Sequence, residues 1–261
     1  MTCVVVGPGL VGSYLGAAAG SPQVMVGPRG TVRAHCVRLA TGIQTWSPQI
    51  VEKAAAHLPT LITCRVHQTD WRSMPADALA AQNGLGQPRA VAVCFFAIDL
   101  DDGVLHTTGP RPRVVVGRLA TRWQPTLTAW RNAGILVEEV DDVRSAQWEK
   151  VIFNATVGPL CLSTGLTMAG VWQDPALRQL TMDATAEGVR IAHANGIFCH
   201  DDLVDRASIF FAQLGDHHPS VVADAGELPW VIQPLLDAAQ QQRLVIPAID
   251  RIAAMVAAVT N

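Results

Sequence analysis

Apolar residues follow two regimes along this chain. Up to about residue 142 they come in short runs bounded by turn residues: Thr2 to Val6, Gln23 to Val26, Thr60 to Cys64, Ala78 to Ala81, Ala90 to Phe96 and Arg113 to Val116. Runs of that length, punctuated by Gly, Pro and Asp, predict strands of a sheet with crossover helices. Between the first two lies "LVGSYLGAAAG", whose small residues let a helix pack closely onto a sheet. The segment Asp99 to Pro110, "DLDDGVLHTTGP", carries hairpin chemistry at Asp102-Gly103 and predicts antiparallel strands appended to a parallel core. From about Val143 the apolar spacing changes to three and four, as in "QWEKVIFNATVGPL", "LRQLTMDATAEGVRIAHANG" and "PAIDRIAAMVAAV". Asn195-Gly196 reads as a helix C-cap, and Pro175 and Pro247 stand where helices begin. The pattern divides the chain into an α/β domain at residues 1–142 and an all-helical domain at 143–261, and the cleft such domains share is the expected place for a ligand.

The first strand runs directly into Gly7-x-Gly9-x-x-Gly12, which opens the predicted helix. Gly-x-Gly-x-x-Gly is a weak signal by itself; strand, loop and helix around it make it the arrangement of a Rossmann-like dinucleotide site. Gly7 permits the tight turn, Gly9 lets a diphosphate approach the backbone, and Gly12 lets helix and strand pack closely. Leu10 and Val11 begin the helix, whose free N–H groups face the anion. NAD sites place a carboxylate on the ribose 2′-hydroxyl about 20 residues further on. Here that stretch is "QVMVGPRG", no carboxylate occurs between Gly7 and Glu52, and Arg29 stands at the strand end with Arg33 one helical turn later. A guanidinium pairs with a 2′-phosphate, so the cofactor expected is NADPH; a solvated loop arginine is the plainer reading of Arg29.

In the helical half, Lys150 and Asn154 are four apart and share one helix face. An ammonium with an amide one turn on can hold and protonate a carbonyl oxygen, stabilising the alkoxide charge that hydride addition builds. Taken alone, Lys150 is more readily an ordinary surface lysine at the start of an amphipathic helix. Asn83, in "QNGLG", follows a predicted strand where ligands sit in open α/β sheets, and is equally an Asn-Gly turn.

Composition narrows the classes further. The 261 residues are 49 % apolar and 16 % charged with a net charge of -3, an ordinary soluble globular balance that offers nothing to a nucleic acid. No apolar stretch reaches membrane-spanning length and the start lacks a signal-peptide pattern, so a cytoplasmic location without membrane contact is expected. The 6 cysteines show no CxxC and the 8 histidines no HExxH, so no metal is expected.

Together, "VVVGPGLVGSYLG", "QVMVGPRG", "QNGLG", "WEKVIFNATVGPL" and "ELPWVIQPLLDAAQQQRLVIP" resemble, in order and spacing, the ketopantoate reductase (2-dehydropantoate 2-reductase) family over nearly the full chain. The resemblance implies an N-terminal Rossmann domain, a helical C-terminal domain that often pairs into a homodimer, and a site between them for NADPH and a small carbonyl substrate. By position, Lys150 is similar to the family's proton donor and Asn154 to its substrate-contacting asparagine. Asn83 matches the asparagine at the cofactor-substrate junction. Glu227, otherwise a solvated loop glutamate, is similar to the glutamate that binds cofactor and aids catalysis, and Ser220 to the serine that binds the substrate carboxylate or hydroxyl.

The chain also departs from the pattern. Gly158 stands where the family usually has a further asparagine, no Asn-Gly element is apparent in "TGLTMAGVW", and the Ser220 to Glu227 segment is short. A family lysine near the NADPH phosphate has only Arg65 or His67 as candidates. A pocket with fewer amides is expected to take a less polar substrate. The resulting expectation is an NADPH-dependent reductase of a 2-oxo acid or related carbonyl or imine. The alternative is a non-redox enzyme or nucleotide-binding protein on the same fold.

Overall fold

The computed structural model describes residues 2–26, 36–53, 55, 57–200 and 202–260, and the chain falls into two compact units. Unit 1 holds residues 1–82 and 86–143; unit 2 holds Arg144–Asn261 together with Asn83–Leu85.

Unit 1 is built on one sheet of ten strands. In chain order its elements are β1 (Val4–Val6), α1 (Leu10–Ala19), β2 (Gln23–Met25), β3 (Cys36–Leu39), β4 (Gly42–Thr45), β5 (Gln49–Ile50), β6 (Thr60–Ile62), β7 (Leu79–Ala80), β8 (Ala90–Asp101), β9 (Val104–Val116), α2 (Gln124–Asn132) and β10 (Leu136–Glu139). The order across the sheet is β4-β3-β9-β8-β7-β6-β1-β2-β5, with β10 on β9. From β5 through β8 every pairing is parallel. The chain leaves β1 first toward β2 and later returns to β6 on its other side, and that reversal is where open α/β sheets bind ligands.

Antiparallel strands are appended beyond β8. The hairpin β8–β9 is much longer than the apolar runs Ala90 to Phe96 and Arg113 to Val116 that announced it. Its turn is Asp102-Gly103, both with positive φ (46° and 76°), the tight turn whose twist matches the strands.

Small residues let α1 sit tightly in this unit. A methyl at Gly16 would come 2.6 Å from the Trp46 ring, and Trp46 Nε1 donates to the Ser21 carbonyl at 2.9 Å. Across the helix, the fully buried Trp130 donates its indole N–H to the Leu15 carbonyl at 3.0 Å. Both indoles thus bury a large apolar area while keeping their one donor satisfied.

Unit 2 is helical: α3 (Arg144–Thr164), α4 (Met168–Gln173), α5 (Pro175–Ala194), α6 (Leu203–Gln213), α7 (Ser220–Ala223), α8 (Leu228–Val231), α9 (Gln233–Gln241) and α10 (Pro247–Thr260). Asp174 caps α5 by accepting from Ala176 and Leu177 N–H, with Pro175 at the first helical position. The helix ends at Asn195, followed by Gly196 with φ 71°. Among the described residues, no helix is long and apolar enough to cross a membrane.

Candidate functional site

The glycine loop follows β1 and turns at Gly7, whose φ is 82°. Gly7 cannot carry a side chain, because a Cβ there would lie 2.5 Å from the Cys64 Cβ. Thr63, just past β6, donates its hydroxyl to the Gly7 carbonyl at 2.7 Å and lies 3.1 Å from the Val6 carbonyl. The Cβ position at Gly12 is filled by the Thr63 hydroxyl and the Gly7 carbonyl, so helix and loop meet there with no room to spare. Gly9 is different: a Cβ built on it has nothing within 4 Å. Gly9 is also the N-cap of α1, with no side-chain cap and no acidic residue in the first turn. The first-turn N–H groups at Leu10, Val11 and Gly12 therefore lack a side-chain acceptor. This open, positively polarised helix end could hold a phosphate group.

Thr63 was not among the residues expected from sequence, nor was Gln82. Gln82 Nε2 donates to the Cys64 carbonyl at 2.5 Å and to Thr69 Oγ1 at 2.7 Å, tying the end of β6 to the end of β7. Arg65 and His67 lie on and beside the short turn Val66–Gln68 that follows Cys64. Arg29 and Arg33 lie outside the described residues.

The remaining expected residues gather in unit 2. Lys150, Asn154 and Gly158 recur every four residues along α3 and so form one stripe. Lys150 and Asn154 are both half-buried. Asn154 Nδ2 donates to Asn83 Oδ1 at 3.0 Å. Next to Asn83, Gly84 has φ 95°, and a Cβ there would lie 2.9 Å from the Trp230 carbonyl oxygen. These two contacts explain why Asn83–Leu85, which leaves β7, packs as part of the helical unit.

Further along the stripe, a Cβ at Gly158 would meet Val221 Cγ1 at 3.2 Å and Pro219 Cβ at 3.8 Å. The space beside position 158 is filled by apolar atoms from the start of α7. Residue 159 is Pro, which removes the helical bond to the Ala155 carbonyl in the middle of α3. Ser220, the first residue of α7, donates its hydroxyl to Glu227 at 2.5 Å, and Glu227 is buried, with 7 % of its surface exposed. The short segment between them brings serine and glutamate into direct contact.

Two buried carboxylates that frame this unit were not singled out from sequence. Glu149, the neighbour of Lys150, receives both terminal nitrogens of Arg206 at 3.0 and 3.1 Å, fixing the start of α3 to α6. Glu187 accepts from the Ala248 and Ile249 N–H groups at 3.0 and 2.9 Å and so caps α10 from α5. A glutamate inside an otherwise apolar helix face was the available signal for both. Among the described residues, no group of three or more His, Cys, Asp and Glu stands ready for a metal ion.

Comparison with known proteins shows what the chain is similar to. Residues 142–260 match the family described as ketopantoate reductase PanE/ApbA C terminal. Over 98 % of its length the chain is 23 % identical to the 2-dehydropantoate 2-reductase of Halobacterium salinarum, and it covers 98 % of that protein. The crystal structure of a 2-dehydropantoate 2-reductase from Geobacter metallireducens GS-15 has the same fold, with a TM-score of 0.81, 20 % identity and full coverage of both chains. A D-mandelate dehydrogenase solved with NADH and anilino(oxo)acetate is similar with a TM-score of 0.79 at 14 % identity, over 99 % of this chain and 98 % of that one.

Proposed function

We propose that the chain is a member of the ketopantoate reductase family, to which its helical half and its whole length are similar, and that it is an NADPH-dependent reductase acting on the carbonyl of a 2-oxo acid or a related ketone or imine. The observation that carries this reading is the Asn154 to Asn83 hydrogen bond, which joins an amide pair to α3 one turn beyond Lys150.

The residues of the glycine loop fit a dinucleotide. Gly7 makes the turn and Gly9 leaves the approach open, and the N–H groups of Leu10, Val11 and Gly12 would hold the pyrophosphate. Arg29 pairs with the 2′-phosphate that distinguishes NADPH. When bound, the nicotinamide supplies a hydride to the carbonyl carbon. Lys150 donates a hydrogen bond from Nζ to the carbonyl oxygen and transfers a proton to it as alkoxide charge develops. One C–H and one O–H bond form while the C=O double bond becomes single.

Asn83 and Asn154 hold each other, and the amide groups this bond leaves over would serve cofactor and substrate. Glu227 is the acidic residue of the site and would contact the cofactor. With its proton committed to Glu227, the Ser220 oxygen is left as an acceptor, which suits a substrate hydroxyl better than a carboxylate. The apolar contact at Gly158 supports a substrate less polar than ketopantoate at that point. A cytoplasmic homodimer completes the reading; the similar ketopantoate reductase of Staphylococcus aureus is dimeric.

The test is equilibrium binding of NADPH and NADH to the wild type and to Arg29→Ala. NADPH is expected to bind the wild type more tightly, and the substitution to weaken NADPH about tenfold or more while leaving NADH nearly unchanged. Equal affinity for the two nucleotides in both proteins would remove the 2′-phosphate assignment, and failure to bind either would remove the dinucleotide site.

A further inference from the structure

Unit 1 contains a cavity of about 380 Å³ that no step of the reductase chemistry uses. Its polar lining comes from Arg38 on β3, His106 and Thr107 on β9, Arg111 further along β9, and Tyr14 on α1; Leu39, Ala40, Pro112 and Ala133 supply much of the apolar remainder. Among the described residues, no carboxylate lines it.

The walls of this cavity are held in place by the protein itself. The Ala40 N–H donates to the Ala133 carbonyl at 3.2 Å, joining the end of β3 to the end of α2. Arg111 Nε donates to the Gly134 carbonyl at 2.9 Å, which anchors the guanidinium at the rim by one nitrogen. Tyr14 is buried and lines the cavity together with Thr107. Alternation along β3 buries Val37 and Leu39 and turns Arg38 outward between them.

The charges are uncompensated. Among the described residues neither Arg38 nor Arg111 forms an ion pair, whereas Arg113, Arg118, Arg122, Arg131 and Arg206 all do. The nearest carboxylate along the hairpin, Asp99, is the cross-strand neighbour of His106 and is engaged by the Thr108 hydroxyl at 2.6 Å. The sequence from 27 to 35, "GPRGTVRAH", holds no carboxylate either. Arg38, Arg111, His106 and the hydroxyls of Thr107 and Tyr14 line one open, partly apolar space of the size that small ligands occupy, with both arginines reaching solvent.

We propose that this cavity is a second binding site, taking a small organic anion whose phosphate or carboxylate is held by Arg38 and Arg111 and whose apolar body rests on Leu39, Pro112 and Ala133. Guanidiniums meet such anions with paired, charge-assisted hydrogen bonds, and a ready-made cavity lowers the ordering cost of binding.

The test is calorimetric titration of the full chain with phenyl phosphate, benzoate and inorganic phosphate, in the presence of excess NADPH. Wild type, Arg38→Gln, Arg38→Gln/Arg111→Gln and Lys150→Ala are compared, with circular dichroism to establish that each is folded. The expected result is one site for phenyl phosphate, weakened about tenfold by Arg38→Gln, further in the double variant, and unchanged by Lys150→Ala. Benzoate binding as tightly as phenyl phosphate identifies a carboxylate as sufficient, and weaker binding identifies the phosphate as the preferred head group. Inorganic phosphate binding as tightly as phenyl phosphate would overturn the apolar part of the site. Binding that survives in the double variant, that disappears in Lys150→Ala, or that is absent altogether would overturn the site itself.

Discussion

Asn154 donates its side-chain amide to the side-chain oxygen of Asn83 across 71 positions of sequence, at 3.0 Å. The bond ties the peptide that leaves β7 to the middle of α3. Removing one partner leaves a half-buried amide group without its mate, which costs about 1 kcal/mol, whereas removing both leaves neither orphaned. Asn83→Ala and Asn154→Ala are therefore expected to couple by about 1 kcal/mol in a double-mutant cycle read by urea unfolding. Additive effects of the two substitutions would show that the bond contributes nothing to stability.

Gly84 permits that arrangement. Its φ of 95° and the 2.9 Å approach of the Trp230 carbonyl leave no place for a methyl group. Gly84→Ala should destabilise the protein by roughly 1–3 kcal/mol and displace Asn83, raising KM for the carbonyl substrate. A variant with wild-type stability and KM would show that the peptide can shift without consequence.

How much of this was legible in the sequence depended on distance along the chain. The glycine loop and the Lys150/Asn154 spacing are local patterns, and local geometry decides them. The strands β1, β6 and β7 and most of β8 stood out as apolar runs because they are largely buried, and β2 did so although only Val24 of it is buried. By contrast β4, "GIQT", is exposed at all four positions and β5 is two residues long, so neither carries a periodic signal. The membership of Asn83–Leu85 in the helical unit rests on Asn154 and Trp230, partners that no window around "QNGLG" contains. Glu149 was hidden for the same reason, since Arg206 lies 57 positions away.

The Glu149–Arg206 pair gives a further prediction. Glu149 is 4 % exposed and Arg206 32 % exposed by side chain, so this is a buried carboxylate with a partly wet partner. Arg206→Ala should cost about 3 kcal/mol, because it strands the carboxylate. The double substitution Glu149→Leu/Arg206→Met should recover most of that loss, measured as unfolding midpoint. A double variant no more stable than Arg206→Ala would mean that the ions hold α3 and α6 in a way apolar packing cannot replace.

Three thiols make stability sensitive to alkaline pH. Burial pushes Cys3 and Cys161 up to about 12, and burial together with the Glu149 charge pushes Cys199 up to about 11, from the ordinary 9.0. A raised folded-state value means that the unfolded chain loses these protons first. Stability is full below pH 9 and falls above it, by up to about 1.4 kcal/mol per pH unit for each thiol, until the folded values are reached. Replacing all three by Ala should flatten the stability profile between pH 9 and 11, read by urea unfolding at each pH. An unchanged slope would show that other groups dominate the alkaline loss.

The reductase reading itself is tested most directly by NADPH consumption with ketopantoate and a series of 2-oxo acids carrying apolar side chains, comparing wild type with Lys150→Ala. The account predicts oxidation by the wild type, faster with the apolar 2-oxo acids than with ketopantoate. It also predicts that Lys150→Ala lowers kcat by about a hundredfold or more without loss of NADPH binding. NADPH bound but never oxidised with any of these carbonyls, or oxidised equally well without Lys150, would contradict it.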